Sequence, residues 1–384
     1  MSSLLKRLLF RLHWICGITA GLVLAVVGVT GATIAFEGEL LRALNPELHA
    51  VVATGTARSP DVLIAVARAA YPDYTPRGIA WEGDVDAVVV RMAKGRERGG
   101  LQVAVDPYSG KVLGTPRGTE FFEVAEQLHR TLAAGPVGKQ IVGASTACLV
   151  LMSLSGLWLR WLRRPRSLSG WFRVDFRLRG RAFLWQLHAV TGVWVLVFYL
   201  VAALTGLWWS YDFYRDAVNR MAGATTPTRR PPSDDAAAPI PLDRAWTAFR
   251  TGAPDATRAT VALSAKSDTP VEIRYQTEAS PHDRAWNTIK IDASSGDIVA
   301  REPYAELPRG RRFVSSLFPL HSGSFLGLPG RIAMALAALV MPLFTVTGIW
   351  VWIKRRRAEA ARRPRDIAIA SQRPLVQARA ADTP

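Results

Sequence analysis

The sequence predicts a membrane α-helical bundle of four transmembrane helices, joined to two small α+β domains outside the membrane. Three observations lead to this fold class. Four long segments are almost purely apolar, basic residues gather at one set of their ends, and the second half of the chain repeats the first. Each half runs helix, exported loop, helix, so both copies enter the membrane in the same orientation. This predicts a tandem duplication with a pseudo-twofold axis along the membrane normal.

The four apolar segments cover residues 13–36, 140–160, 187–210 and 331–353. Each is long enough, at about 1.5 Å per residue, to cross a hydrocarbon core about 30 Å thick. The first is too long for the core of a signal peptide, and no small-residue cleavage site follows it before Glu37. We therefore expect the first helix to remain part of the mature protein.

The net charge of +17 is unevenly placed. Most of the excess lies in residues 1–12, in residues 160–187 and after residue 353, whereas the two long loops are nearly balanced. This is the positive-inside pattern and not the footprint of a nucleic-acid-binding protein. It predicts that both termini and the basic linker are cytoplasmic, that the loops are extracytoplasmic, and that the linker can lie on anionic lipid.

The two long loops contain matching patterns. In each, an amphipathic helix (SPDVLIAVARAAYPDY or PLDRAWTAFRTGAPD) precedes three alternating apolar segments typical of strands. The turn from Asp106 to Gly110 matches the turn from Asp292 to Gly296, with glycine where positive φ is easily reached. Residues 225–241 and the C-terminal tail lack periodicity, and we expect a flexible insertion and a disordered tail.

Four of the six histidines stand at the ends of the apolar segments and repeat in pairs. His13 and His188 open the first and third segments, each followed by glycine at the same offset. His129 and His321 lie in the related sequences LHRTLAAGPVGK and LHSGSFLGLPGR. The predicted topology places His13 with His188 at the cytoplasmic side and His129 with His321 at the other side.

Two neutral imidazoles that face each other across a helix bundle are a suitable axial pair for a b-type haem. The repeat therefore predicts up to two haems, with His13 and His188 as axial iron ligands of one and His129 and His321 of the other. For any single histidine, capping, snorkelling or a structural hydrogen bond remains the alternative. Glycines near the histidines would leave room for a porphyrin: Gly17, Gly192, Gly135, Gly138, Gly327 and Gly330.

The remaining chemistry of the sequence is sparse. His49 and His282 have no repeat partner and are expected at the surface, with substrate contact as the alternative. Cys16 and Cys148 lie in apolar helices outside any CxxCH sequence, which excludes c-type haem attachment and disulfides in the loops. Ser-Gly or Thr-Gly pairs recur in all four helices and indicate close helix packing. No nucleophile, phosphate-binding or zinc motif is present, and no catalytic residue can be named.

These motifs, together with SGLWLRWLRR, TGIWVWIKRR and the DPYSG and DASSG turns, resemble the PepSY-associated transmembrane family of iron-regulated bacterial inner-membrane proteins. Within that family the chain looks most like the ferric-siderophore reductases of the ferrioxamine-reductase type. The resemblance implies a multi-pass inner-membrane protein that binds haem at His13, His129, His188 and His321. It also implies electron transfer from an unidentified donor to a periplasmic ferric siderophore, which reduces Fe(III) to Fe(II).

Two other functions remain open at this stage. One is a non-enzymatic PepSY-domain protein that binds a peptide or an envelope partner, and the other is a haem-bearing membrane subunit of a periplasmic oxidoreductase. In either case the same division of the chain is expected. The segments are a cytoplasmic N-terminus and first helix (1–36), a first PepSY-like domain (37–128), a histidine segment and second helix (129–162), a basic linker (163–182), a third helix (183–210), a second PepSY-like domain (211–320), a histidine segment and fourth helix (321–353), and a basic tail (354–384).

Overall fold

A computed structural model describes residues 3–95, 100–162, 167–224, 241–263, 270–357 and residue 360. The chain divides into two compact units. The membrane unit contains residues 1–32, 128–210 and 334–384, and the sheet unit contains residues 33–127 and 211–333. The predicted insertion, apart from Pro241, and nearly all of the tail after residue 357 lie outside the described residues.

The described helices, in chain order, are α1 (Ser3–Ile34), α2 (Glu37–Leu44), α3 (Pro60–Ala70), α4 (Thr119–Thr131), α5 (Gly135–Trp161), α6 (Leu168–Phe172), α7 (Gly180–Ser210), α8 (Asp212–Ala222), α9 (Asp243–Gly252), α10 (Arg309–Ser322), α11 (Gly327–Leu339) and α12 (341–357). The strands are β1 (Thr75–Trp81), β2 (Val88–Ala93), β3 (Gly100–Val105), β4 (Val112–Gly114), β5 (Ala256–Ala262), β6 (Val271–Thr277), β7 (Asn287–Ile291) and β8 (Ile298–Glu302).

Four helical spans are long and apolar enough to cross a membrane: Leu4–Ile34, Gly135–Trp161, Gly180–Ser210 and Ser324–Arg357. Each overlaps one of the apolar segments of the sequence, so the prediction of four transmembrane helices is confirmed. The first span ends two residues short of its apolar segment, and the other three contain theirs.

The fourth span is interrupted at Val340, between α11 and α12. Pro342 explains the break, since proline has no N–H to donate and its ring clashes with the carbonyl of the preceding turn. The hydroxyl of Tyr199, on α7, donates to the carbonyl of Ala337 at 2.9 Å. The same carbonyl also accepts the N–H of Val340 at 3.2 Å, so two helices contribute hydrogen bonds next to the break.

The core of the membrane unit is formed by small and medium side chains from all four spans. Its buried members are Ala20, Leu24, Leu149, Val195, Tyr199, Ala203, Ala337 and Met341. The side chain of Thr345 donates to the carbonyl of Gly21 at 2.8 Å, which joins the fourth span to the first. Small residues at such positions allow helix backbones to approach closely.

The sheet unit contains a single antiparallel sheet of eight strands in the order β4-β3-β2-β1-β5-β6-β7-β8. The sequence predicted two separate α+β domains, and it did not indicate that their strands join. They do so through β1 and β5, where Ile79 pairs with Val261. Ile79 also pairs with Val90 and Val261 with Ile273, so the two halves meet at equivalent positions.

One face of this sheet is covered by α3 and α9 and forms one core. Its members include Ala67 and Phe249 from the helices and Val90 and Ile273 from the strands, all at most 1% exposed. Loss of a ring as buried as that of Phe249 costs roughly 3–5 kcal/mol of stability. The core contains residues from both halves of the chain, so neither half is packed as an independent domain.

The two predicted turns form as expected. The carboxylate of Asp106 accepts the backbone N–H of Tyr108 at 2.8 Å, and that of Asp292 accepts the N–H of Ser294 at 2.8 Å. Gly110 and Gly296 follow with φ of 74° and 82°. These hydrogen bonds favour the ionised carboxylates and hold the pKa of both aspartates below the ordinary value, although partial burial of Asp106 opposes this.

Candidate functional site

His13 lies on α1 and contacts a Ser-Gly pair on α5. Its Nδ1 is 3.0 Å from the hydroxyl oxygen of Ser155. Ser155 donates its own proton to the carbonyl of Leu151 at 2.6 Å, so its oxygen accepts the proton of the imidazole. Gly156 provides room for the ring, since a methyl group at this position would lie 3.2 Å from Cε1 of His13. We therefore assign the Nδ1–H tautomer, with the lone pair on Nε2.

His188, on α7, makes the same contact with a Thr-Gly pair on α12. Its Nδ1 is 2.9 Å from the hydroxyl oxygen of Thr347. Thr347 donates to the carbonyl of Leu343 at 2.6 Å and therefore accepts the imidazole proton. The ring also meets that of Phe344 edge-on, with centroids 5.1 Å apart, and Gly348 lies beside Cε1. His188 is thus also in the Nδ1–H tautomer.

The imidazole rings of His13 and His188 are neighbours in an edge-to-face arrangement. Their centroids are 6.2 Å apart and their planes are inclined by 70°. Both rings are half-buried among the membrane-spanning helices. Since both Nδ1–H groups donate to helix hydroxyls, both Nε2 atoms carry the lone pair that a metal ligand needs. The structure therefore brings together the first of the two predicted histidine pairs.

The distance between the ring centres of His13 and His188 is suited to two ligands of one metal. A bond between a first-row metal and an imidazole nitrogen is about 2 Å long, so the ring centres of two axial ligands lie about 6 Å apart. The observed separation of 6.2 Å agrees with this value. The donor set also fits, because neutral imidazoles with an anchored second nitrogen are the axial ligands of b-type haems.

Cys, Asp and Glu side chains do not add to this donor set. Within the ranges that the structure describes, no group of three or more His, Cys, Asp or Glu side chains is arranged to hold a metal ion.

His129 lies near the end of α4 and contacts α1. Its Nδ1 is 2.8 Å from the carbonyl oxygen of Val27 and 3.5 Å from the hydroxyl of Thr30. A carbonyl oxygen only accepts, so Nδ1 carries the proton here as well. A methyl group at Gly31 would lie 2.8 Å from Cε1 of His129. A third histidine thus shares the Nδ1–H tautomer and the contact with a Thr-Gly pair.

His321 belongs to the sheet unit, where it lies in the last turn of α10 and is half-buried. The helix ends just beyond it at Gly323, which has φ of 83°. The hydroxyl of Ser322 donates to that of Ser324 at 3.0 Å and closes the following turn. His129 belongs to the membrane unit, so the second predicted pair stays a prediction from the sequence repeat.

The Ser-Gly and Thr-Gly pairs are the functional residues that sequence reasoning missed. We expected Thr30-Gly31, Ser155-Gly156 and Thr347-Gly348 to serve helix packing. Each instead supplies an oxygen near an imidazole Nδ1 and a glycine beside its Cε1. Their recurrence in all four apolar segments was the signal that could have identified them.

Two of the glycines near the histidines lie at helix contacts. A methyl group on Gly17 would lie 3.7 Å from the sulfur of Met152, and one on Gly192 would lie 3.7 Å from the ring of Phe344. These are ordinary packing distances. The expectation that Gly17 and Gly192 leave room for a porphyrin stays a prediction.

His282 is buried, so the prediction that it lies at the surface is wrong. It is 7% exposed, and its Nε2 lies 3.0 Å from the hydroxyl of Tyr304 and 3.2 Å from that of Ser316. Its Nδ1 accepts the backbone N–H of Arg284 at 3.2 Å. Burial lowers the pKa of His282, which Asp283 partly offsets. This histidine has a structural role because all of its hydrogen-bonding capacity is used inside the sheet unit.

His49 is half-buried and forms part of an ion-pair cluster in the sheet unit. Its Nδ1 is 3.0 Å from the carboxylate of Asp86, which is 5% exposed. Arg42 donates two hydrogen bonds of 3.1 Å to the same carboxylate. A buried aspartate that is paired in this way is a structural feature, and it gives no support to a role for His49 in substrate contact.

The four apolar helical spans agree with a comparison against known families. A family model described as the PepSY-associated TM region matches residues 10–355. A search of the curated proteins found no match. The family match covers most of each of the four spans and the eight described strands, and it agrees with the resemblance seen in the sequence motifs. The chain belongs to the PepSY-associated transmembrane family.

Proposed function

We propose that this protein is an inner-membrane b-haem protein that transfers electrons from a cytoplasmic donor to a periplasmic ferric siderophore. One observation carries the proposal: His13 and His188 lie 6.2 Å apart with both Nδ1 atoms hydrogen-bonded to helix hydroxyls. Intramembrane histidines are rare and usually functional. If His13 and His188 only capped helix ends, the two imidazoles would not need to share a tautomer or to lie next to each other.

The proposed topology places both termini in the cytoplasm and the sheet unit in the periplasm, following the positive-inside distribution of Lys and Arg. In that orientation His13 and His188 are near the cytoplasmic face. A tandem duplication is also part of the proposal. The order of the strands supports it, since each half contributes four consecutive strands and the halves pair through their first strands, β1 and β5.

The protein residues hold and orient the haem ligands. Ser155 and Thr347 fix the rotation of the two imidazoles and keep their Nε2 lone pairs available. Apolar side chains such as Phe344 keep water from the rings, which favours neutral imidazole. A bound b-type haem supplies reversible one-electron chemistry at its iron.

His129 and His321 are the proposed ligands of a second haem near the periplasmic side. The sequence repeat supports this assignment, and the Nδ1–H tautomer of His129 is the form that a ligand at Nε2 requires. Two haems near opposite faces would divide the path across the membrane into shorter steps. The siderophore iron is the substrate: it gains one electron and becomes Fe(II), a softer ion that hard oxygen ligands hold less tightly.

Haem content per chain tests the proposal most directly. The purified protein from haem-replete cells should contain two haems, with a Soret band and an α-band that dithionite sharpens. His13→Ala and His188→Ala should each remove the same haem, and His129→Ala the other. His49→Ala is the matched control and should keep both. A folded but colourless protein would refute the proposal and favour a role in partner binding.

Electron transfer to iron is tested separately. The protein, reduced without oxygen and then mixed with a ferric siderophore, should lose its reduced α-band while Fe(II) appears in a ferrous-specific chelator. If the haems are reduced but no ferric siderophore reoxidises them, the protein is a haem-bearing subunit that delivers electrons to another partner.

A further inference from the structure

The face of the sheet opposite α3 and α9 carries a group of arginines. The strand residues on this face alternate with the buried ones and are mostly polar or charged. Two exposed arginines lie on these strands, Arg91 on β2 and Arg274 on β6. A third exposed arginine, Arg284, lies in the loop after β6. These three are called the arginine cluster below. All belong to the sheet unit.

The strand register brings Arg91 towards Arg274. Thr260, on β5, is the cross-strand partner of Arg274, and it accepts a hydrogen bond from the guanidinium group of Arg91. Arg91 therefore reaches across β1 from β2. It can do so because its own partner on β1 is Gly78, which has no side chain. The absence of a side chain at Gly78 opens the path along which the two guanidinium groups approach.

Aromatic rings hold the other two arginines in place. The guanidinium carbon of Arg274 is 5.3 Å from the centre of the Trp286 ring, and that of Arg284 is 4.1 Å from the centre of the Phe318 ring. Stacking of this kind orients the planar group and leaves its N–H donors available at the edges. The arginine cluster is thus ordered before any ligand binds.

Glu272 lies near the arginine cluster, but one carboxylate offsets only part of the charge of three arginines. Partial burial lowers the pKa of Arg274; nearby Glu272 raises it, while Arg284 and Arg91 lower it again. Within the described ranges, no carboxylate lies within salt-bridge distance of Arg274 or Arg284. Two other basic residues of this face differ, since Arg258 pairs with Glu82 and Lys290 with Glu302, both at 2.7 Å.

We propose that the arginine cluster binds the carboxylate groups of an anionic ferric chelate, a polycarboxylate and not a cationic one. Guanidinium groups match carboxylates in planar, two-point hydrogen bonds. Three cations held close together repel each other, and a ligand with several negative charges removes that repulsion. The identity of the ligand as a ferric chelate rests on the proposed function, whereas the binding of the polycarboxylate does not.

Calorimetric titration of the full-length protein with gallium(III) citrate tests this proposal. Gallium(III) has the charge of ferric iron but is not reduced, so binding is measured apart from electron transfer. Arg274→Gln and Arg91→Gln should each weaken binding by about 10- to 100-fold. Arg274→Lys should recover only part of the loss, because an ammonium group cannot make the two-point contact. Binding should also weaken as salt rises.

Arg258→Gln is the matched control, since it removes a charge from the same face that is already paired with Glu82. It should bind gallium(III) citrate as the wild type does. Absence of binding by the wild type, or equal affinity in Arg274→Gln, overturns the proposal, as does tighter binding of a cationic gallium trihydroxamate. If ferric citrate is reduced equally by wild type and Arg274→Gln, the cluster assignment fails while the proposed function stands. If gallium citrate binds through the cluster but no ferric chelate is reduced, the cluster assignment stands and the proposed function fails.

Discussion

Ser155 accepts the Nδ1 proton of His13 at 3.0 Å while it donates its own proton to the carbonyl of Leu151 at 2.6 Å. The bond to the carbonyl of Leu151 fixes the orientation of the serine hydroxyl, and the hydroxyl in turn orients the imidazole of His13. The orientation of His13 depends on helix α5 as much as on its own helix, and the same relation joins His188 to Thr347 on α12.

Ser155→Ala should loosen haem at the His13 site because the imidazole loses the hydrogen bond that fixes its tautomer and rotation. Loss of such a partner weakens metal binding by about 10- to 100-fold. The rate at which haem passes to an excess of an apo-globin should rise for one of the two haems. Thr146→Val is the control, since it removes only a hydroxyl that donates to Val142 on the same helix. Equal rates in the two variants would contradict the role of Ser155.

Gly31→Ala should displace His129. The added methyl group would lie 2.8 Å from Cε1, so the ring must move away and its hydrogen bond to Val27 should be lost. Overpacking of this kind costs roughly 1–3 kcal/mol. Gly348→Ala is the matched control, because its methyl group would lie 3.8 Å from Cε1 of His188, an ordinary contact.

The measurements for these two variants are the apparent Tm in detergent and the haem content per chain. Gly31→Ala should lower both, and Gly348→Ala should leave both close to the wild-type values. A Gly31→Ala protein with full haem content and unchanged Tm would show that the ring of His129 has more room than the structure gives it.

Stability should fall in weak acid because of His282. Burial lowers the pKa of this group below the ordinary histidine value of about 6.5. The unfolded chain therefore takes up a proton at a pH where the folded chain does not, and the folded state loses stability as pH falls below about 6.5 towards the lowered value. Above that range both states are neutral and the effect is absent.

His282→Gln should flatten this dependence, since glutamine still hydrogen-bonds but does not titrate in this range. The apparent Tm of wild type and variant should be compared between pH 8 and pH 5. The wild-type Tm should drop more steeply on acidification. Parallel curves would mean that His282 takes up its proton as readily in the folded protein as in the unfolded chain.

Asp86→Ala should destabilise the sheet unit. The carboxylate is buried and receives two hydrogen bonds from Arg42 and one from His49. Loss of these bonds should cost roughly 2–3 kcal/mol, at the modest end for a buried pair because the Arg42 side chain is half exposed.

Glu47→Ala provides the comparison for Asp86→Ala. Glu47 pairs with Arg117 at 2.7 Å, but both side chains are at least half exposed. An exposed pair of this kind contributes less than about 1 kcal/mol. Tryptophan fluorescence during denaturation should therefore separate the two variants clearly. Equal losses of stability would mean that Asp86 is better hydrated than its burial indicates.

Much of the fold could be predicted from the sequence because it depends on local patterns. Apolar length specifies the four spans, alternation specifies strands such as β2, and the Asp106 and Asp292 turns need only a carboxylate and a glycine at fixed offsets. The joining of the two halves could not be predicted. The pairing of Ile79 with Val261 connects positions far apart in the chain, and its apolar side chains would equally suit the interior of a separate domain.

The candidate site was predicted in part for a similar reason. The histidines are conspicuous because polar groups are rare in apolar segments. Ser155 and Thr347 are not, since a hydroxyl can bond to the preceding helical turn and is common in membrane helices. His282 was misjudged because its burial depends on Tyr304 and Ser316, which follow it by more than twenty residues.

The pairing of β1 with β5 has a consequence for how such a chain could have arisen. A polypeptide with only one half would present β1 as the bare edge of a four-stranded sheet, and edges of this kind associate with other copies. Two copies would meet through that strand about a twofold axis, as a homodimer. Fusion of two such copies would fix their ratio at one to one and free each half to diverge, which would account for the serine beside His13 at Ser155 and the threonine beside His188 at Thr347.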